Sequence, residues 1–148
     1  GGVGKTTLVD KVYRSMEKKF ECAGQIPISQ TYNKAELVGR VNELLFRNGR
    51  YLIVLDDDVW DLTAFNDING ALVDYNNGSR IIITTRSAEV ASVADDGRQL
   101  KLEGLESTEA RALFCDRAFR KNEERRCPQE LEDLVQDFLS RCGGVPLA

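Results

Sequence analysis

The first eight residues, GGVGKTTL, combine the glycines and side chains that are needed to hold a phosphate group. Closely spaced glycines let the backbone curl so that several N–H groups point at one anion, and a helix that starts directly after them presents the positive end of its dipole. Lys5 supplies a positive charge for the terminal phosphate, and Thr6 supplies a hydroxyl for a magnesium shell. We therefore predict a nucleotide site formed by Gly1, Gly2, Val3, Gly4, Lys5, Thr6 and Thr7.

Three aspartates that follow an apolar run form the second group of candidate residues. The run is residues 51–55, and Asp56, Asp57 and Asp58 come directly after it. A continuously apolar segment of this length is typical of a strand that is buried on both faces of a parallel sheet. A carboxylate at the end of such a strand can hold magnesium beside the phosphate loop, and a second carboxylate can orient or deprotonate an attacking water.

The polar sequence Thr84-Thr85-Arg86 follows another short apolar run, residues 81–83. In an open α/β sheet the ligand lies outside the carboxyl ends of the strands, so these polar residues are expected to face the phosphates. Arg86 is then a candidate to sense or stabilise a γ-phosphate.

Hydrophobic spacing predicts the elements that position these residues. Helices are expected over residues 5–20, from Asn33 to Gly49, from Ser107 to about residue 118 and from Pro128 to Gly143, and strands over residues 25–28, 51–55, 81–83 and 99–102. Strand and helix alternate up to about residue 103, and only helices follow. The pattern predicts an α/β fold of the P-loop NTPase type, a parallel sheet flanked by helices in residues 1–103, followed by the start of a helical subdomain in residues 104–148.

The composition is that of an ordinary globular chain and removes several classes of function. Of 148 residues, 42% are hydrophobic and 30% are charged, and the net charge of −4 gives no overall basic field for nucleic acid. The absence of histidine removes a Ser-His or Cys-His nucleophile pair. The four cysteines are widely spaced, so we expect reduced thiols in a cytoplasmic protein instead of a zinc or disulfide framework. No apolar run is long enough to span a bilayer.

Five segments, taken in order, resemble the NB-ARC nucleotide-binding domain of plant intracellular immune receptors. They are GGVGKTTL, LIVLDDDVW, GSRIIITTRS, LEGLESTEARALFCDRAF and CGGVPLA. The resemblance covers nearly the whole chain. Trp60 and the stretch FECAGQIPISQTYN are similar to the coiled-coil branch of the family and not to the TIR-bearing branch.

The resemblance implies roles for single residues and a mode of action. Asp56 and Asp57 match the carboxylates that bind magnesium and position water, with Thr6 as a further metal ligand. Arg86 matches a sensor arginine, and Pro146 matches a proline that lies against the nucleotide. The resemblance further implies a switch that is closed with ADP and open with ATP, is reset by slow hydrolysis, self-associates when open, and is flanked by coiled-coil and leucine-rich-repeat regions.

The chain departs from the family pattern in three places. The acidic run has one aspartate more than the usual LDDVW, so Asp56–Asp57 and Asp57–Asp58 are both candidates for the two roles, and we favour the pair nearest the strand. Gln25 stands where Trp is common, and Val145 stands where Leu is usual. These two changes are expected to affect packing only.

Two other classes of function fit the same loop and carboxylates, namely a housekeeping P-loop ATPase and a nucleotide-controlled transcription regulator of related architecture. The segments CGGVPLA and FECAGQIPISQ argue against the first class, and the second needs a DNA-reading domain elsewhere. The full P-loop pattern has one more glycine, two residues before Gly1, and a strand that feeds it. We therefore expect a piece of a longer receptor that alone is poorly stable and binds nucleotide weakly.

Overall fold

The computed structural model describes residues 2–28, 32–45, 49–56, 59, 62–72, 77–94, 97–122 and 125–147. The chain divides into two compact units. One unit is Thr6–Leu100, and the other joins Gly1–Lys5 to Lys101–Ala148. In the described residues, no helix has both the length and the apolar character that crossing a membrane requires.

The unit Thr6–Leu100 contains a parallel sheet flanked by helices, as the alternating pattern predicts. Its elements, in chain order, are α1 (Lys5–Met16, which starts one residue before the unit), a 3-10 turn (Glu17–Lys19), β1 (Cys22–Pro27), α2 (Lys34–Leu45), β2 (Tyr51–Asp56), α3 (Leu62–Asn69), β3 (Arg80–Ile83) and α4 (Ala88–Ala91). The three strands pair in the order β1-β2-β3, and both pairings are parallel.

Strand β2 lies in the centre of the described sheet and contributes buried residues to its core. Its five apolar residues are all buried, which confirms the prediction of a strand covered on both faces. The register places Pro27 opposite Asp56 and Leu55 opposite Ile83, so the carboxyl ends of all three strands lie at one edge. One face of β2 packs into a single hydrophobic cluster with residues of β1, α2, α3 and α4.

Local signals account for some of these boundaries. The side-chain oxygen of Asn33 accepts hydrogen bonds from the backbone N–H groups of Ala35 (2.9 Å) and Glu36 (3.2 Å), so Asn33 caps α2 as predicted.

The predicted strand at residues 99–102 is wrong, because this segment has no strand structure and Leu100 is 74% exposed. An alternating pattern forms a strand only where a neighbouring strand can pair with it. Helices α3 and α4 were not predicted.

The described residues of the other unit, from Lys101 onwards, form two helices and a turn. They are α5 (Ser107–Ala118), a 3-10 turn (Gln129–Leu131) and α6 (Glu132–Cys142). Glu106 and Glu109 form a capping box at the start of α5. Arg111 on α5 binds both carboxylate oxygens of Glu132 on α6 at 2.6 Å, and the rings of Phe114 and Phe138 lie 5.3 Å apart. This ion pair and this aromatic contact therefore join the two helices.

Candidate functional site

The end of β2 is linked to the first turn of α1 through a hydroxyl and a carboxylate. Thr6 Oγ1 donates a hydrogen bond to Asp56 Oδ1 across 3.3 Å, although the two residues are fifty positions apart in the sequence. Thr6 is exposed and Asp56 is half-buried. The structure thus brings together the two residues that the sequence predicts as magnesium ligands.

A second hydroxyl binds the same carboxylate oxygen. Thr84 follows β3 directly, and its Oγ1 donates to Asp56 Oδ1 at 2.6 Å. Its backbone N–H donates to the carbonyl oxygen of Leu55 (3.0 Å), and its own carbonyl accepts from the N–H of Val59 (2.9 Å). The sequence predicts that Thr84 faces the phosphates but gives it no specific role. A threonine directly after a strand is only a weak signal for such a bond, because the register that places β3 beside β2 cannot be read from the sequence.

The next residue, Thr85, binds the backbone of Val59, which is the first described residue after the acidic run. Thr85 Oγ1 donates to the carbonyl oxygen of Val59 at 2.6 Å, and it accepts from the N–H of Ser87 at 2.9 Å. Val59 is fully buried. The predicted water-positioning residue Asp57 lies outside the described residues, as do Asp58 and Trp60.

Two residues of the glycine loop have backbone angles that favour glycine. Gly2 and Gly4 have φ values of 82° and 95°, a region that other residues rarely adopt, and α1 begins directly after Gly4. A Cβ added to Gly4 would meet no atom within 4 Å, so the need for glycine there is conformational. A Cβ on Gly2 would lie 3.1 Å from Val145 and 3.2 Å from Leu147, which belong to the same unit.

The remaining predicted site residues occupy the following positions. Lys5 is the first residue of α1 and is half-buried, Val3 is half-buried, and Thr7 is exposed. Arg86 is exposed and lies two residues beyond Thr84, after the carboxyl end of β3. Pro146 is half-buried in the turn that follows α6. Gly1 lies outside the described residues.

The donor atoms at the end of β2 fit a magnesium ion. The Thr6 hydroxyl and the Asp56 carboxylate are hard oxygen ligands. Magnesium keeps several waters and substrate phosphate oxygens, so one or two protein oxygens are enough. A magnesium ion at this position therefore does not need a cluster of three or more acidic or cysteine side chains. The described part of the chain contains no such cluster.

Comparison with known proteins identifies the family. The family model described as the NB-ARC domain matches residues 33–124. The chain belongs to the NB-ARC family. The resemblance inferred from the five segments is therefore confirmed, and with it a nucleotide-binding module with a P-loop type α/β fold.

The chain is also similar to several plant proteins over almost its whole length. It is 36% identical to the disease resistance protein RPM1 of Arabidopsis thaliana, over 99% of the chain and 16% of that protein. It is 32% identical to the ToMV resistant protein Tm-2 netted virescent of Solanum lycopersicum, over 99% of the chain and 20% of that protein. It is 33% identical to the putative late blight resistance protein homolog R1B-23 of Solanum demissum, over 99% of the chain and 13% of that protein. The chain thus spans at most a fifth of each of these relatives.

Proposed function

We propose that this NB-ARC chain is the nucleotide switch module of a plant immune receptor of the coiled-coil branch, which binds ADP or ATP with magnesium and hydrolyses ATP slowly. The observation that carries the proposal is the hydrogen bond between Thr6 and Asp56, which joins the residue after the loop lysine to the acidic end of β2. The similarity to three plant resistance proteins supports the immune role. It disfavours both a housekeeping ATPase and a transcription regulator.

The chain's own residues would bind the nucleotide in the following way. N–H groups of Gly1–Gly4 and the start of α1 donate to phosphate oxygens, and Lys5 neutralises the terminal phosphate. Thr6 and Asp56 hold the magnesium ion, directly or through water. Magnesium, when bound, neutralises charge on the phosphate oxygens. The positive φ angles of Gly2 and Gly4 support this part of the proposal, because they allow the loop to curl.

Hydrolysis would use two further residues that the sequence predicts for the site. Asp57 orients or deprotonates the attacking water, and Arg86 stabilises charge on the γ-phosphate. The position of Arg86 just beyond the carboxyl end of β3 supports its role, since ligands of open α/β sheets bind beyond the strand ends. Pro146 contacts the nucleotide from the helical segment.

The organisation around the site is also part of the proposal. Residues 1–103 form the nucleotide-binding domain, and residues 104–148 begin a helical subdomain. Coiled-coil and leucine-rich-repeat regions flank the chain in a cytoplasmic receptor that self-associates when it carries ATP. The much greater length of the similar proteins supports the presence of flanking regions.

Substitution of the loop lysine tests the proposal. In the natural polypeptide that contains these residues, Lys5→Ala is expected to weaken ADP affinity at least tenfold, because it removes the charge-assisted bond to phosphate. Lys11→Ala, on the exposed side of α1, is the matched control and should leave affinity unchanged. ATP turnover of the unsubstituted protein should stay below about 1 s⁻¹, at the low end for enzymes. Unchanged ADP affinity in Lys5→Ala would refute the nucleotide site, and faster turnover would refute the switch.

A further inference from the structure

Thr84 has a buried side chain whose hydroxyl needs a partner. It is 4% exposed, and among the residues that the structure describes it is the one buried side chain that is neither apolar, cysteine nor tyrosine. A buried hydroxyl without a hydrogen bond costs free energy, so its partner is a structural requirement. That partner is Asp56, the acid at the end of the central strand.

The position of the Thr84 hydroxyl is fixed by the backbone on both sides of the acidic run. Its N–H binds Leu55, the residue before Asp56, and its carbonyl binds Val59, the first described residue after Asp56. Threonine is also restricted in χ1 because its Cβ is branched. The hydroxyl is therefore held in place before any ligand arrives.

The two hydroxyls that bind Asp56 Oδ1 differ in the distance of their hydrogen bonds. The Thr84 bond, at 2.6 Å, has the distance of a charge-assisted bond between a hydroxyl and a carboxylate. The Thr6 bond, at 3.3 Å, is longer than the usual range for hydroxyl donors. The orientation of the carboxylate is consequently set by Thr84, and the Thr6 hydroxyl is held only weakly.

We propose that Thr84 is a positioning residue, which orients Asp56 to bind the magnesium ion of a magnesium–nucleotide complex. The inference rests on the proposed function and deepens it, because it selects Asp56 over Asp57 and Asp58 as the magnesium carboxylate. Partners that orient a metal ligand commonly change metal affinity by about 10- to 100-fold when they are removed. Thr84 itself touches neither the metal nor the nucleotide in this role.

The experiment compares hydroxyl removal with hydroxyl retention. In the natural polypeptide, the affinity for a non-hydrolysable ATP analogue is measured across a magnesium titration and again in EDTA. Thr84→Val keeps the shape and loses the hydroxyl, so it should raise the half-saturating magnesium concentration about 10- to 100-fold. Its affinity in EDTA should stay unchanged. Thr84→Ser keeps the hydroxyl and should stay within about threefold of the unsubstituted protein.

Thr85→Val is the matched control. It also removes a hydroxyl from the same stretch, but that hydroxyl binds the backbone around Val59 and not Asp56. It should leave the magnesium titration unchanged. A shift in Thr85→Val without one in Thr84→Val would overturn the proposal, because magnesium affinity would then depend on the backbone contact of Thr85 with Val59 and not on the orientation of Asp56.

Other outcomes separate this inference from the proposed function. If the unsubstituted protein binds the analogue in a magnesium-dependent way and Thr84→Val behaves identically, the positioning role is wrong and the proposed function stands. If the unsubstituted protein does not bind the analogue, both are wrong. If Thr84→Val does not fold, Thr84→Ala and Thr84→Ser replace it, since both lack the γ-methyl and differ only in the hydroxyl. Equal magnesium titrations for that pair would overturn the positioning role.

Discussion

At the scale of single residues, the proposed site centres on one carboxylate oxygen and on two glycines. Asp56 Oδ1 accepts hydrogen bonds from Thr6, which follows the glycine loop, and from Thr84, which follows the apolar run of β3. Gly2 and Gly4 give the loop backbone angles that side chains disfavour. The proposed nucleotide site thus combines a specific acid with a specific backbone shape.

A pair of alanine substitutions tests the backbone requirement. Gly4→Ala forces a side chain into a φ of 95° and should destabilise the fold by about 1–2 kcal/mol while weakening nucleotide affinity. Gly39→Ala, inside α2 with no atom within 4 Å of the added Cβ, should stabilise the fold by about 0.5–1 kcal/mol. Urea denaturation measures both free energies of unfolding. Destabilisation of equal size in the two variants would contradict the conformational explanation.

At the scale of elements, α5 and α6 are joined by the ion pair between Arg111 and Glu132. Hydrogen bonds from Arg111, together with its charge, hold the pKa of Glu132 below its ordinary value. Burial, followed by the nearby Glu132 charge, raises the pKa of the Cys127 thiol, which disfavours its thiolate form. Protonation of the Glu132 carboxylate in acid is consequently expected to weaken the contact between these helices.

The pH dependence of stability tests this contact. A carboxylate whose pKa is lowered in the folded state stabilises the fold at any pH above its pKa in the unfolded chain, which is about 4.3 for Glu. This contribution is lost as the pH falls through the pKa of the folded state. The difference in free energy of unfolding between the unsubstituted protein and Glu132→Gln should therefore be constant near neutral pH and shrink below about pH 4.3. Denaturation at a series of pH values measures it, with Glu130→Gln as the control. A difference that persists into acid would argue against the ion pair.

The elements also differ in how well the sequence predicts them. The apolar run of β2 and the cap at Asn33 are local signals, and both predictions are confirmed. Helix α3 has only eight residues, and its buried positions are Ala64 and Ile68, so its periodicity is too short to recognise. Residues 99–102 alternate like a strand, but they pair with no strand among the residues that the structure describes.

At the scale of the whole molecule, the chain is two compact units, and the described sheet lies in one of them. The bond between Thr84 and Asp56 depends on the register of β2 against β3, in which Leu55 lies opposite Ile83. Strand register is a property of the assembled sheet and not of a sequence window. Candidate residues could therefore be predicted from the sequence, while the hydroxyl that orients the acid could not.

The most direct test of the central claim is the magnesium dependence of nucleotide binding in Asp56→Asn. In the natural polypeptide, calorimetric titration with a non-hydrolysable ATP analogue should show tighter binding with magnesium than in EDTA for the unsubstituted protein. The same should hold for Asp10→Asn, a control on α1 that removes the carboxylate bound by Gln25. Asp56→Asn should keep the affinity measured in EDTA and lose the gain from magnesium. Saturable binding with the full magnesium gain in Asp56→Asn, or no saturable binding by the unsubstituted protein, would contradict the account.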